Sequence, residues 1–183
     1  MRVLLDKEAT TLGLRRLAGE IVERHRGTQG LVLVGIRRGG VPVARALGHW
    51  IAKLEGTQLP LGTVDITLYR DDAATALPNP RIGPSEIPVS IDGKNVVLVD
   101  DVAYTGRTVR AALDAVLDFG RPQRIELAVL VDRGQRELPI QPDFCVKRIE
   151  LQSSERVDVI ADSEGLEALV CRADAPSIPH LLS

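Results

Sequence analysis

The chain has 183 residues, enough for one sizeable core and short for two domains, and a single domain over 1–183 is expected. Apolar residues make up 44% and charged residues 26%, an ordinary globular composition, and a net charge of −2 gives no global basic field advertising nucleic acid, although a local basic patch needs geometry and not bulk charge. No apolar run approaches the roughly 18 residues of a membrane span, the MRVLLDKEAT start lacks the pattern of a secretory signal, and Cys145 and Cys171 fall in no metal or CxxC spacing, so a reduced, cytoplasmic setting with both thiols as inert packing residues is expected.

Aromatics are only 3% of the chain, so the core must be aliphatic. Asp6 or Thr10 is placed to cap a first helix, on which Leu14, Leu17, Ala18, Ile21 and Val22 share one face, with Gly27 and Gly30 marking its end. On this reading His25 is a surface residue of that helix. LVLVGI (31–36) reads as a strand buried on both faces, followed by the loop Arg37-Arg38-Gly39-Gly40 and a helix from Pro42 to about Lys53. Val64, Ile66 and Leu68 alternate with Asp65, Thr67 and Tyr69, which predicts a strand with one polar face. The proline-rich stretch 70–88 reads as a lid or mobile hairpin rather than a surface insertion.

Asp92-Gly93 marks a turn, and NVVLVD (95–100) is the clearest strand in the chain. Thr108 to Phe119 is the clearest helix, lined by Val109, Ala112, Leu113, Val116 and Leu117 and ended by Gly120 and Pro122. Strand patterns follow at 124–131, 144–149, 157–161 and 166–172, with a charged loop over 133–142 and a loose tail from 173. Alternating strands and helices predict one α/β domain around a mainly parallel sheet.

The segment VVLVDDVAYTGRT (96–108) carries the chemistry. A strand ends in Asp100-Asp101, and a short loop, Ala103 to Gly106, leads into a helix opened by Arg107-Thr108. Ligands of open α/β sheets sit at the carboxyl ends of strands. The first helical turn offers unpaired N–H groups and the positive end of the dipole, and Thr105, Gly106 and Thr108 add hydroxyls and a closely approachable backbone, so the corner is a phosphate cradle. Two carboxylates beside it would repel a bare phosphate. They suit a ligand that carries hydroxyl donors next to its phosphate, as ribose 5-phosphate does. Their charge would also favour a cationic ribosyl centre. Strands ending in aspartate ahead of a Ser/Thr/Gly helix start are common in α/β proteins, so the generic pattern alone does not decide the matter.

The full thirteen residues resemble the ribose-phosphate signature of type I phosphoribosyltransferases. VDITLYRDD (64–72), DDVAYTGRTVRAALDAVLDFGRP (100–122) and LAVLVDRGQRELPI (127–140) are similar to the family of bifunctional pyrimidine operon attenuation regulators and uracil phosphoribosyltransferases. The resemblance implies the type I fold, a mainly parallel central sheet flanked by helices with a small hood and a flexible loop. It implies transfer of ribose 5-phosphate from phosphoribosyl pyrophosphate to uracil, giving UMP and pyrophosphate with Mg2+. It also implies UMP-dependent binding of a leader RNA hairpin that attenuates pyrimidine-biosynthesis transcription, and a homo-oligomer.

Carried over, Asp100 and Asp101 match the ribose carboxylates, and Ala103, Tyr104, Thr105, Gly106, Arg107 and Thr108 the 5-phosphate loop. Arg37, Arg38, Gly39 and Gly40 match the pyrophosphate loop, with Arg-Gly-Gly where the family often shows Thr-Arg-Gly. Val131, Asp132 and Arg133 match the segment beside the base, and Tyr69 and Arg70 open the loop that would cover the pyrophosphate. Mg2+ would be held through the ligand, with Asp100 and Asp101 the candidate protein contacts and few direct protein ligands. Arg16, Arg136 and Lys147 fall where the family keeps basic residues for RNA, while Gln135 and Gln141 stand where it often shows histidine or arginine. The bland alternative is that Arg133 and Arg136 pair on the surface with Asp132 and Glu137. Two other readings share the signature: an RNA-binding regulator whose nucleotide pocket only senses, and a purine phosphoribosyltransferase, against which VDRGQREL argues.

Overall fold

The computed structural model describes residues 1–71 and 83–176. Five strands form a parallel sheet in the order β3-β2-β4-β5-β6, where β2 is Leu31–Ile36, β3 Leu61–Val64, β4 Asn95–Ala103, β5 Arg124–Asp132 and β6 Phe144–Arg148. Every residue of β2 is buried, as are Val96 to Asp100 of β4. Helices cover both faces, so these strands are continuous apolar runs without polar alternation. Leu31, Leu33, Val97 and Val99 turn to one face, under α1 (Lys7–His25) and α2 (Gly40–Glu55). Val32, Val34, Val96 and Leu98 turn to the other, with Val109, Ala112 and Val116 of α3 (Arg107–Leu117).

Asp6 caps α1, its carboxylate accepting from the Ala9 N–H at 2.8 Å. The helix ends where Arg26 enters the left-handed region and the Gly27 N–H reaches the Val22 carbonyl at 3.0 Å. Leu14, Leu17, Ala18 and Ile21 are buried as the spacing predicts, and burial of each leucine or isoleucine contributes about 1.5–3 kcal/mol. Thr10, the alternative cap, is instead buried within the helix.

A second, antiparallel sheet in the order β1-β8-β7 joins Arg2–Leu5 (β1) to the hairpin Glu155–Asp162 (β7) and Gly165–Arg172 (β8). It packs on α1, and Lys7 ties the two together through Asp162 and Glu164, each at 2.7 Å. This small sheet is the hood.

Three expectations need correction, and one strand has no counterpart among the expected elements. Residues 2–5 pair with β8 as a strand, although four residues showed no pattern of their own. The strand expected over 64–68 lies at Leu61–Val64, because β3 pairs with β2 only as far as Ile36. There Asp65 turns the chain, accepting the Thr67 N–H at 2.9 Å and its hydroxyl at 2.5 Å. β4 does not stop at Asp100; pairing with β5 carries it through both acids to Ala103. His25 is not a surface residue: its side chain is 7% exposed and its Nε2 lies 2.6 Å from Glu126, a buried carboxylate of β5 that also takes Arg24. The stretch 70–88 falls largely outside the described residues, as does the tail from 177. Its far end runs antiparallel to the free edge of β3, with Thr63 and Glu86 exchanging backbone hydrogen bonds at 2.7 and 2.8 Å.

Candidate active site

The carboxyl ends of β2, β4 and β5 meet at one corner. Asp100 is 5% exposed, and burial, then the neighbouring Asp101 charge, holds its carboxyl well above the usual aspartate range. The Asp101 N–H donates to Asp100 Oδ1 at 3.0 Å, and Asp101 Oδ1 accepts from the Val102 N–H at 2.8 Å. The other oxygen of Asp101 faces the loop after β2. A Cβ on Gly39 would stand 2.0 Å from Asp101 Oδ2, and one on Gly40 would stand 2.2 Å from the Val99 carbonyl. The Gly39-Gly40 pair therefore exists because the loop backbone lies directly against the second acid and the strand that carries it.

Ala103 to Thr108 make the expected loop and helix start. Gly106 has φ 93°, a left-handed conformation that favours glycine, and no side chain caps α3. The Thr105 hydroxyl accepts the Arg107 N–H at 3.3 Å, and Tyr104 and Thr108 are exposed. Apart from that bond, the first turn of α3 has no side-chain cap, and its electropositive end lies one short loop after the acids.

Within the charged loop expected over 133–142, residues 134–140 brace the 103–106 turn. Glu137 and Leu138 donate their N–H groups to the Thr105 carbonyl at 2.9 and 3.1 Å. The Arg136 guanidinium donates to the Tyr104 carbonyl at 2.6 Å, to the carbonyls of Gly134 and Ile140 at 3.1 and 2.8 Å, and to Asp132 at 2.5 Å. Its side chain is only 10% exposed. Arg136 is therefore turned inward as a strut, and its partnership with Asp132 is buried rather than a surface pairing.

In the segment expected beside the base, the Arg133 guanidinium stacks over the Tyr104 ring at 3.8 Å. Arg133 is 6% exposed, and its Nε is buried without a hydrogen-bond partner. Gln135, although exposed, reaches it through Oε1 at 3.4 Å and anchors on the Leu151 carbonyl at 3.0 Å. Val131 is fully buried in the core, while Asp132 accepts from Arg136 and from the Gly134 N–H.

The remaining expected residues are spread more widely. The Arg37–Arg38 peptide is cis, and the Arg37 guanidinium bonds the Pro84 carbonyl at 3.1 Å and Thr63 at 3.4 Å, toward β3. Arg38 is exposed beside Gly39, and among the described residues its side chain has no hydrogen-bond or ion-pair partner. The Tyr69 hydroxyl is engaged by Asp118 at the far end of α3, and Asp71 draws Arg107 and Arg110 at 2.8 and 2.6 Å, so the start of the loop after β3 rests on α3. Arg107 also pairs with Glu137 at 2.6 Å. Arg16 donates to the Val146 carbonyl of β6 at 3.0 Å, next to exposed Lys147. Among the described residues no cluster of three His, Cys, Asp or Glu side chains could hold a metal.

Paired acids at a strand end, a glycine-tight loop against one of them and an uncapped helix start define a site for a phosphorylated sugar, the architecture of a phosphoribosyltransferase. The model of the phosphoribosyl transferase domain matches residues 3–166. The bifunctional protein PyrR of Pelotomaculum thermopropionicum is 54% identical over 168 residues, covering 91% of this chain and 93% of the relative. That of Thermus thermophilus is 55% identical over 156 residues, covering 85% and 86%. The chain belongs to this phosphoribosyl transferase family, among the bifunctional PyrR proteins. Among solved structures, the hypoxanthine phosphoribosyltransferase of Trypanosoma cruzi superposes with a TM-score of 0.70 at 17% identity, covering 94% of this chain and 97% of that one. That of Staphylococcus aureus gives 0.66 at 23% identity, covering 86% and 81%. At these identities the likeness carries the fold alone.

Proposed function

We propose that this protein transfers ribose 5-phosphate from phosphoribosyl pyrophosphate to uracil, giving UMP and pyrophosphate, and that it also binds a pyrimidine leader RNA hairpin when UMP is present. The observation that carries the first half is the Asp100-Asp101 pair near the end of β4, one short loop ahead of α3, whose N-cap, Gly106, has no side chain to bond the first turn. The Thr105 to Thr108 turn takes the 5-phosphate on backbone N–H groups and hydroxyls. Asp101, half-buried and fixed by the Val102 N–H, accepts from the ribose hydroxyls. The nearby negative charge favours the cationic anomeric carbon as pyrophosphate departs, so orientation and electrostatics supply the rate without a protein nucleophile.

Exposed Arg38 and the loop backbone at Gly39-Gly40 lie where the departing pyrophosphate would pass Asp101. Arg133, stacked on Tyr104, offers its buried free Nε–H on the base side. The donor set fits Mg2+ as an ion carried mainly by substrate oxygens, with Asp101 the carboxylate best placed to touch it or its waters. When bound, the ion would neutralise charge developing on the pyrophosphate.

The regulatory half is supported by relatives named as bifunctional and by Arg16 and Lys147, which stand on adjoining elements, α1 and β6. We read the protein as a cytoplasmic homo-oligomer; among the described residues no helix is long and apolar enough to cross a membrane. The test mixes protein, Mg2+ and phosphoribosyl pyrophosphate with uracil, cytosine, hypoxanthine or guanine in turn and follows nucleotide formation. A second arm titrates a labelled leader hairpin with and without UMP over a salt series. Product from a purine alone would overturn the uracil assignment, and hairpin binding indifferent to UMP would overturn the regulatory one.

A further inference from the structure

Trp50 is the only tryptophan in the chain, and it stands on α2, the helix that Gly40 opens. It sits on α2 with one side against the core and the other half-open to solvent. Two cations lie against its ring: Lys53 Nζ at 4.9 Å from the centroid and the Arg15 guanidinium, from α1, at 5.9 Å. His49 meets the ring edge-on at 5.6 Å. Among the described residues neither Arg15 nor Lys53 has a carboxylate at ion-pair distance, whereas Arg16 one residue on is paired with Glu20. Arg45, His49 and Lys53 are exposed at four-residue spacing, which places them in one row along α2. Arg15 and Arg16 carry the row across α1 to the Val146 carbonyl, beside Lys147.

The bland account is that the long side chains merely shield an indole. It explains why a cation lies on the ring. It does not explain why two unpaired cations converge on one ring, with an exposed basic row running on from it. Unpaired positive charges around an accessible aromatic face suit a polyanion whose units each carry a flat ring, which is the chemistry of a nucleic-acid strand.

The geometry points to Trp50, flanked by Arg15 and Lys53, as a stacking platform for an unpaired base of bound RNA, extending the surface marked by Arg16 and Lys147. This rests on the RNA-binding reading above. The test uses the full-length protein with saturating UMP and a fluorescein-labelled pyrimidine-leader hairpin. RNA binding is followed by anisotropy of the label, and Trp50 by its own emission, which no other tryptophan obscures. Binding is expected to quench Trp50. Trp50→Leu should weaken RNA binding roughly fivefold to a hundredfold, the range set by loss of one stacked base, with UMP synthesis unchanged. Arg15→Gln and Lys53→Gln should each lower the slope of log affinity against log salt by about 0.7.

If RNA binds while Trp50 emission stays fixed and Trp50→Leu binds as tightly as the parent, the platform is refuted and the RNA reading stands. No RNA binding by the parent at any salt refutes both. Quenching by phosphatidylglycerol vesicles and not by RNA would assign the patch to an anionic membrane surface and refute the proposal.

Discussion

Gly39 and Gly40 separate catalysis from folding within two adjacent residues. Gly39 has φ −65° and ψ −31°, a conformation open to any residue, so alanine there meets no backbone strain. The obstacle is space. The new methyl would lie 2.0 Å from Asp101 Oδ2 and 2.4 Å from its Cγ, where ordinary contact begins at 3.4 Å. Since the group in the way is a side chain, it can swing aside by something over 1 Å, and the fold survives. A displacement of that size in a catalytic group lowers the rate on the order of 100-fold. At Gly40 the same methyl meets the Val99 carbonyl at 2.2 Å and the Asp100 Cα at 3.0 Å, the backbone of a central strand that cannot yield. Gly40→Ala should therefore destabilise by about 1–3 kcal/mol or more. The assay pairs kcat/KM for phosphoribosyl pyrophosphate with the thermal midpoint. Gly39→Ala is expected to lose about two orders of magnitude in kcat/KM with its midpoint within a few degrees of the parent, and Gly40→Ala to lose the midpoint first. Near-parental turnover in Gly39→Ala would refute the placement of Asp101 as the carboxylate that works on the ribose.

Asp101→Asn should cut turnover far more than stability; equal losses would make the carboxylate structural. Asp100 binds its proton more tightly folded than unfolded, so the native state gains protons relative to the unfolded chain between the ordinary aspartate value of 3.8 and its raised native value. Stability from this group is present below that window and is lost as pH rises through it. Asp100→Asn should unfold at higher denaturant than the parent at neutral pH, with the gap closing toward pH 4; a gap that widens on acidification refutes the sign. Arg136→Met should leave Asp132 buried without its partner and destabilise by about 3 kcal/mol or more, a midpoint drop of roughly 6–12 °C, whereas Lys147→Gln should leave the midpoint alone and weaken only hairpin binding. Equal midpoints for the two variants would show that Arg136 is no strut.

The parts of the fold legible in the sequence are those whose signal is local. LVLVGI and NVVLVD are continuous apolar runs because helices cover both faces of the sheet, and α3 shows its buried face as Val109, Ala112 and Val116. The strand, acids, glycine turn and helix start of the corner proposed for the phosphate are legible for the same reason: they are contiguous in the chain. What escaped was set from a distance. RVLL becomes a strand because β8, over 160 residues away, offers it an edge. β3 is placed by how far β2 extends rather than by its own alternation. His25 is drawn inward by Glu126, and a charge set between apolar neighbours Ile125 and Leu127 of β5 was the available hint that a basic partner must exist.

The same distinction governs the arginines. Sequence places Arg136 in a charged loop and leaves open whether it faces solvent, because a guanidinium needs only a few acceptors to be drawn inside. In the fold, four acceptors converge on it, three of them backbone carbonyls that composition cannot reveal. It consequently joins the turn that would hold the 5-phosphate, at Tyr104, to the strand end beside the base, at Asp132. Tyr104 in turn carries Arg133 on its ring. The phosphate loop and the base segment are thus one braced unit rather than two independent subsites. A ligand that fills only one of them should therefore order both, so ribose 5-phosphate, which lacks a base, is expected to protect the amides of 103–108 and 133–138 from hydrogen exchange together. Pyrophosphate, which would leave through the Gly39 side, should protect neither, and protection of 103–108 by ribose 5-phosphate without 133–138 would break the brace.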